Sequence, residues 1–475
     1  MRIIARKKEK KELEECEKSA KSELVCVFGR RRVGKTFLVE QTFGNYFAFR
    51  ATGLENGNTK QQLRAFNQRL LECGSKVSTI PKDWFEAFSR LDSLLSSDNN
   101  VLSPHNKKIV FLDEFPWFAT SKSDFLLAFE DFWNRRGTQS GDLLFIICGS
   151  ATSWIIKNVL DNTGSMFHRV TAQIFVPPFS LAESEMFFRD REFGWSREQI
   201  MKCQMLFGGL PFFMDLLHEN ESFRQNVDRL LFRPNALLGD ETSRLLEATL
   251  KKSPIYGRIL ELLSQHVYGL KKSEVCEKLD LPVGSFSRAV EDLVKCGYVT
   301  EYKRDYEKGN PLYIQLVDLF LLFHYHFLSP NNRVSCYDEI ESDMGRFSNW
   351  RGHAFEILCF HQIGQIKQAL GISGVKTRCY TWINIGQGES AQIDMVIERD
   401  DKITNICEIK CTEKPFIMTK EYDEELLRKR EVFKNATGTK NAIKIIMISA
   451  SGISGVAHTE HISGVITMDD LFDNS

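Results

Sequence analysis

The chain has 475 residues, 62 basic against 63 acidic, with 43% hydrophobic and 26% charged side chains. Charges that nearly cancel exclude a protein that coats polyanions with its whole surface, so any nucleic-acid contact must be local. At about one domain per 100–200 residues the length implies roughly three domains, and the composition excludes long disordered stretches.

The N-terminal stretch Met1–Glu15 is basic but has no apolar core or small-residue cleavage site behind it, so a secretory signal is not expected. The first 230 residues alternate short apolar strands with amphipathic helices, the pattern of a parallel sheet covered on both faces. Leu24–Phe28, Ile109–Leu112 and Leu143–Cys148 are nearly unbroken apolar runs and are predicted as its buried strands.

From about Ser253 the pattern changes to short helices. Lys271–Asp280, a turn at Leu281–Gly284 and Ser285–Cys296 read as a helix-turn-helix, and strands Tyr298–Arg304 and Leu312–Leu316 around the polar turn Asp305–Asn310 read as its wing. Arg288 and Lys295 fall on the second helix, and Lys303, Arg304 and Lys308 on the wing, where they could contact phosphates; Glu291 and Asp292 oppose that reading and leave protein packing as the alternative. The apolar run Ile314–Leu328 is broken by Asp318, His324 and His326 and is shorter than the roughly 20 residues that span a bilayer, so a cytoplasmic protein is expected.

From about Met344 a third pattern begins: a helix through Phe355, strands around Ile393–Ile397 and Ile403–Lys410, and a charged helix Glu421–Phe433. Twelve cysteines are scattered singly, which suits buried free thiols. No Cys-x-x-Cys occurs, and His324/His326 or His458/His461 supply too few ligands for zinc, so no structural metal is expected.

The clearest chemistry is Gly29-Arg-Arg-Arg-Val-Gly-Lys-Thr36, lying between a predicted strand and a predicted helix. A G-x-x-x-x-G-K-[ST] loop curls its amides around phosphates, and a side chain at Gly34 would obstruct that approach. Gly29, Arg30, Arg31, Arg32, Val33, Gly34, Lys35, Thr36 and the following Phe37 are therefore the expected nucleotide-contacting stretch. Lys35 would reach the β- and γ-phosphates of ATP, and Thr36 would hold Mg²⁺. Downstream, Lys107–Glu114 is an apolar strand ending in two carboxylates: Asp113 is placed to orient the Mg²⁺ and Glu114 to activate water. A later strand ends Cys148-Gly149-Ser150, where Ser150 is either a phosphate sensor or the residue that turns strand into helix.

Near the C-terminus, Gln392-Ile-Asp394-Met-Val-Ile precedes a charged turn and Ile406-Cys-Glu408-Ile-Lys410. Glu408 and Lys410, two apart on a strand, share one face of an otherwise apolar run, and burying both without a partner or ion is costly. An Asp on one strand beside Glu-x-Lys on the next suits Mg²⁺-dependent phosphodiester hydrolysis, two carboxylates holding metal and the lysine helping to activate water.

Phe28–Thr36, Phe111-Leu-Asp-Glu114, Cys148-Gly-Ser150, Phe167-His-Arg169 and Gly208-Gly-Leu-Pro211 together resemble the archaeal-type ATPases related to AAA+ and STAND proteins. That resemblance implies a transition-state role for Arg169 and a helical lid at Gly209–Pro211. The Asp394, Glu408, Lys410 set resembles the PD-(D/E)xK nuclease superfamily, as found in the DUF234-type C-terminal domains of such ATPases; Gly352–Glu356 then matches its first core helix and makes Glu356 a further acidic metal ligand. Ile393 stands where that motif has proline.

The expected architecture is thus multidomain α/β: a P-loop NTPase core over 1–180, a helical lid over 181–250, a winged helix over 251–330 and a restriction-endonuclease-like α/β domain over 345–475. The expected function is an ATP switch coupled to a Mg²⁺-dependent DNA nuclease; the alternative is a STAND-like signalling ATPase whose C-terminal domain binds a protein partner or DNA without cutting. Ring assembly of further copies is common in the families resembled.

Overall fold

Leu24-Val-Cys-Val is apolar toward both faces, and in the computed structural model it lies inside a five-stranded sheet, fully buried. The structure describes residues 3–97, 100–161, 169–242, 245–246, 253–303, 309, 311–384, 390–455 and 458–473. They fall into two compact units, residues 1–178 with 244–252 and residues 179–243 with 253–475.

In the first unit β1 (Glu23–Phe28), β2 (Phe47–Thr52), β3 (Lys108–Asp113), β4 (Leu143–Gly149) and β5 (Ala172–Phe175) form a sheet in the order β2-β3-β4-β1-β5, with every pairing parallel. Inserting β4 between β1 and β3 aligns their carboxyl ends, so residues after three different strands meet at one edge. The helices that cover the sheet start on sound caps: Asn58 with Gln61 forms a capping box, and the Asp83 side chain accepts from the Glu86 amide. Their apolar faces bury an aromatic cluster in which the Phe66 ring lies 4.9 Å from Phe49 and 5.4 Å from Trp84, and Trp84 lies 4.8 Å from Phe125. Each such ring contributes roughly 2–3 kcal/mol of burial, which anchors the helices on that side of the sheet.

The second unit begins with helices Leu181–Asp190 and Arg197–Phe207, each opened by a Ser capping box and the second closed by Gly208 at φ +68. A small antiparallel sheet follows, in the order β6-β8-β7, from β6 (Leu270–Lys271), β7 (Val299–Lys303) and β8 (Leu312–Leu316). Two helices separate β6 from β7. The first, Lys272–Lys278, is shorter than the sequence suggests, because Leu270 and Lys271 pair with β8. The second, Val283–Lys295, starts two residues early: Pro282 precedes it with φ already preset, and Val283 and Gly284 join its first turn rather than the loop. Arg304 and Lys308 lie outside the described residues. The apolar run splits into β8 and the short helix Leu319–Phe323, and no helix among the described residues is long and apolar enough to cross a membrane.

The last sheet is mixed. Its strands β9 (Thr377–Asn384), β10 (Ala391–Arg399), β11 (Ile403–Lys410), β13 (Ala442–Ser449) and β15 (Ile462–Thr467) run in the order β15-β13-β11-β10-β9, while β12 (Phe416–Ile417) pairs with β14 (Ile453–Ser454) beside it. β9, β10 and β11 are antiparallel neighbours, whereas β11, β13 and β15 are parallel. Helices Met344–His361 and Lys420–Thr437 pack on this sheet and extend beyond the sequence expectation at their C-terminal ends. All twelve cysteines are free; six are buried and Cys73 is exposed, so the buried reading holds for only half of them.

Candidate functional site

The chain leaves β1 at Phe28 and turns sharply at Gly29, where φ is +149 and a Cβ would stand 2.4 Å from the Val176 carbonyl oxygen. Only glycine fits there. Gly34 needs glycine for a different reason: its φ is +87, while nothing in the protein lies within 4 Å of where a Cβ would be. Arg32 also holds a left-handed conformation, φ +74, so the loop is curled by more than its glycines.

Gly34 caps the helix Lys35–Phe43, which aims its positive end into the loop. The Lys35 ammonium is buried and donates to the carbonyls of Gly29 and Arg30 at 2.9 and 2.7 Å; burial holds its pKa below the ordinary lysine value, against the pull of Glu114 and Asp113. Thr36 donates its hydroxyl to Asp113 Oδ2 at 2.9 Å. Asp113 Oδ1 accepts the Glu114 amide at 2.9 Å, and Glu114 sits at φ +47. Ser150, at the end of β4, donates its hydroxyl to both Glu114 oxygens at 3.0 Å and its amide to Oε2 at 3.3 Å. The structure thus brings Lys35, Thr36, Asp113, Glu114 and Ser150 together. An oxygen-donor pair such as Thr36 with Asp113 suits Mg²⁺.

Two residues in this array escaped the sequence reading. Arg6, buried, donates to the carbonyls of Val33 at 3.3 Å and Pro177 at 2.6 Å, tying the loop to the segment after β5. Thr152 donates to the Gly29 carbonyl at 3.0 Å. Neither carries a local signal, since one lies in a basic run and the other opens the short helix Thr152–Ile155. Arg30, Arg31, Arg32, Val33 and Phe37 all belong to the loop and its helix, Arg30 and Val33 buried and the others half-buried. Arg169 is half-buried, its Nε has no hydrogen-bond partner among the described residues, and no described hydrogen bond joins it to the residues above.

A second cluster lies in the C-terminal sheet. Asp394 sits in a β-bulge between Ile393 and Val396, and its Oδ2 accepts the Ile409 amide of β11 at 2.8 Å. Glu408 and Lys410 do share a face: Lys410 Nζ lies 2.8 Å from Glu408 Oε1. The helix Lys420–Thr437 adds two side chains that sequence reasoning missed. Lys429 Nζ lies 2.8 Å from Glu408 Oε2, and the Tyr422 hydroxyl donates to Oε1 at 2.6 Å. On sequence alone that helix is a charged, solvated one; Lys429 and Tyr422, seven apart, fall on one face, the only hint available.

Burial, then the Asp394 charge, pushes Glu356 up to about 9, and burial, then Glu408, pushes Asp394 up to about 6. Burial would raise Glu408 too, but Lys410 and Lys429 hold it below the ordinary value. The oxygen donors are chemically right for a hard divalent cation, yet among the described residues no three of His, Cys, Asp or Glu gather around a point that could hold one. Both Glu408 oxygens are taken by ammonium groups instead. As arranged, Glu356, Asp394 and Glu408 do not fit a shared metal.

No family model matches the chain. An uncharacterized protein of Methanocaldococcus jannaschii is 22% identical over 364 residues, 74% of this chain and 75% of that protein. Among solved structures, the Walker-type ATPase of Pyrococcus abyssi is similar with a TM-score of 0.50 and 18% identity, over 68% of this chain and 96% of that one. Over that share of its length the chain has the fold of a Walker-type ATPase. The Aeropyrum pernix ORC2 protein is more distant, with a TM-score of 0.42 and 12% identity over 68% of this chain and 93% of its own.

Proposed function

We propose that this chain is an ATP-binding and slowly ATP-hydrolysing switch. The observation that carries the reading is the convergence of Lys35, Thr36, Asp113, Glu114 and Ser150 at the ends of three adjacent parallel strands. Lys35 exchanges its bonds to the Gly29 and Arg30 carbonyls for phosphate oxygens. Thr36 and Asp113 are the residues that would hold Mg²⁺, which when bound offsets phosphate charge. Glu114 orients and deprotonates the attacking water while Ser150 holds the carboxylate in place, and Arg169 is the candidate for transition-state charge. The test is nucleotide binding and hydrolysis by wild type, Lys35→Ala and Glu114→Gln. Lys35→Ala should lose binding, and Glu114→Gln should bind without turnover; turnover at the wild-type rate in Glu114→Gln would sink the assignment.

In the second unit we read the helix pair with β7 and β8 as a winged helix and the mixed sheet as a PD-(D/E)xK-like domain, with DNA as the partner. Support for the first reading is that Glu291 is paired with Lys295 at 3.2 Å and that Arg288 remains exposed; Asp292 accepts from the uncharged Tyr256 hydroxyl at 3.0 Å, which offsets no charge. Support for the second is the bulge that aims Asp394 at β11 beside Glu408 and Lys410. Coupled DNA cleavage is tested on linear, circular and single-stranded DNA with Mg²⁺ or Mn²⁺, with and without ATP, using wild type, Asp394→Ala and Glu408→Ala. The double neutralisation of Glu408 favours the alternative, a STAND-like switch whose C-terminal domain binds DNA or a protein without cutting; cleavage by wild type but by neither variant would exclude it.

A further inference from the structure

The carboxylate cluster has a neighbour from outside its own sheet. The turn Gln265–Gly269, between the helix Pro254–Ser264 and β6, places Tyr268 beside it, and Gln392 Nε2 donates to the Tyr268 hydroxyl while lying 3.3 Å from Asp394 Oδ1. One amide therefore bridges the tyrosine and the aspartate. Burial and the charges of Glu356, Asp394 and Glu408 all push the Tyr268 phenol upward, so the ring tip stands in the field of the whole cluster.

The turn is held there from both sides. The Val267 carbonyl accepts Gln315 Nε2 of β8 at 2.5 Å, and Val267 is also bonded through its backbone to His353, one turn before Glu356 on the helix Met344–His361. Tyr302 of β7 donates to the Tyr268 carbonyl. At Gly269 φ is +64 and a Cβ would lie 2.3 Å from the Ile314 carbonyl, so the backbone that presents Tyr268 has one shape. The small antiparallel sheet thus carries a tyrosine on a rigid turn into a site built by another sheet.

We propose that Tyr268 is a gate residue of the C-terminal site: its turn and the Gln392 bridge close access to the carboxylate cluster from the Asp394 side. The inference deepens the nuclease-like reading but concerns access, which does not require that the site cut anything. An incoming phosphodiester must displace the phenol and free Gln392 before it can approach Asp394.

The test is carboxyl labelling of the full chain with carbodiimide and glycine ethyl ester, read by mass spectrometry at Glu356 and Asp394, for wild type, Tyr268→Ala and Tyr268→Leu. A closed turn predicts labelling roughly tenfold faster in both variants, the scale of one lost hydrogen bond plus part of a buried ring. Equal labelling in wild type and Tyr268→Ala overturns the proposal. Should Tyr268→Ala fail to fold, Tyr268→Leu decides, since it keeps apolar bulk under the turn but lacks the ring tip that reaches Gln392. Mn²⁺ titration followed by electron paramagnetic resonance separates the two readings: faster labelling with no Mn²⁺ bound by any variant leaves the gate standing and removes the nuclease, whereas equal labelling with Mn²⁺ bound by wild type does the reverse.

Discussion

Ser150 donates both its hydroxyl and its amide to the Glu114 carboxylate, joining the end of β4 to the end of β3. The contact exists because β4 is inserted between β1 and β3. It constrains the carboxylate that would orient water. Ser150→Ala should therefore lower kcat for ATP by roughly tenfold with little change in KM, as expected when an interaction matters only in the transition state. Steady-state kinetics checks this; an unchanged or raised kcat would mean that the serine restrains Glu114 rather than positions it.

Thr36 Oγ1 and Asp113 Oδ2 are 2.9 Å apart, and these are the residues proposed to hold Mg²⁺. In Thr36→Ala the nucleotide should still bind but lose most of its Mg²⁺-dependent gain in affinity. Titration of a fluorescent ATP analogue with Mg²⁺ and then with excess EDTA reads that gain directly, and an undiminished gain in the variant would remove Thr36 from the site.

Gly29→Ala drives a Cβ into the backbone oxygen of Val176, whereas Gly34→Ala meets only an unfavourable φ. The first should cost more stability, about 2 kcal/mol or above, and the second about 1 kcal/mol. Urea denaturation of the two variants checks the order, and a reversal would show that the turn after β1 can shift away from β5.

Lys429→Met removes one of the two ammonium groups on Glu408, itself only 5% exposed. A buried charge stripped of its sole partner costs roughly 3–5 kcal/mol; with Lys410 and Tyr422 still in place the loss should be nearer 2 kcal/mol. Denaturant midpoints for Lys429→Met and for Lys429→Met with Glu408→Gln test it, because removing both charges should recover part of the loss.

Burial pushes His353 down to about 3 and His324 down to about 4. Each folded value lies below the roughly 6.5 of an unfolded histidine, so their stabilisation is complete above that pH and is lost as pH falls from about 6.5 towards the folded values. For His353, 3% exposed, the cost at pH 5 is about 2 kcal/mol. Thermal unfolding of wild type between pH 7.5 and 5 should show a steeper loss than the His353→Asn variant, whatever the variant's stability at pH 7.5.

The primary chain determined whatever depends on neighbours in sequence. Gly29–Gly34 is a loop that opens a helix at Lys35 because its residue types and spacing favour that backbone, and Glu408 and Lys410 share a face because a strand alternates with period two. The apolar runs of β1, β3 and β4 announced strands buried on both sides. Less was legible at element ends: Pro282 and the pairing of Leu270 and Lys271 with β8 moved the helix starts, effects of a cap and of a distant strand.

The tertiary structure alone decided what packs against those faces. Nothing local places Ser150 beside Glu114 rather than elsewhere along the sheet edge, because strand order is a choice among long-range pairings. Nothing local turns Lys429 and Tyr422 from a solvated helix face onto Glu408, or brings Tyr268 to Gln392 across 124 residues. Periodicity reports which side of an element is buried; the identity of its partner is set by the free energy of assembling the whole core, and that is where the polar contacts of both sites were decided.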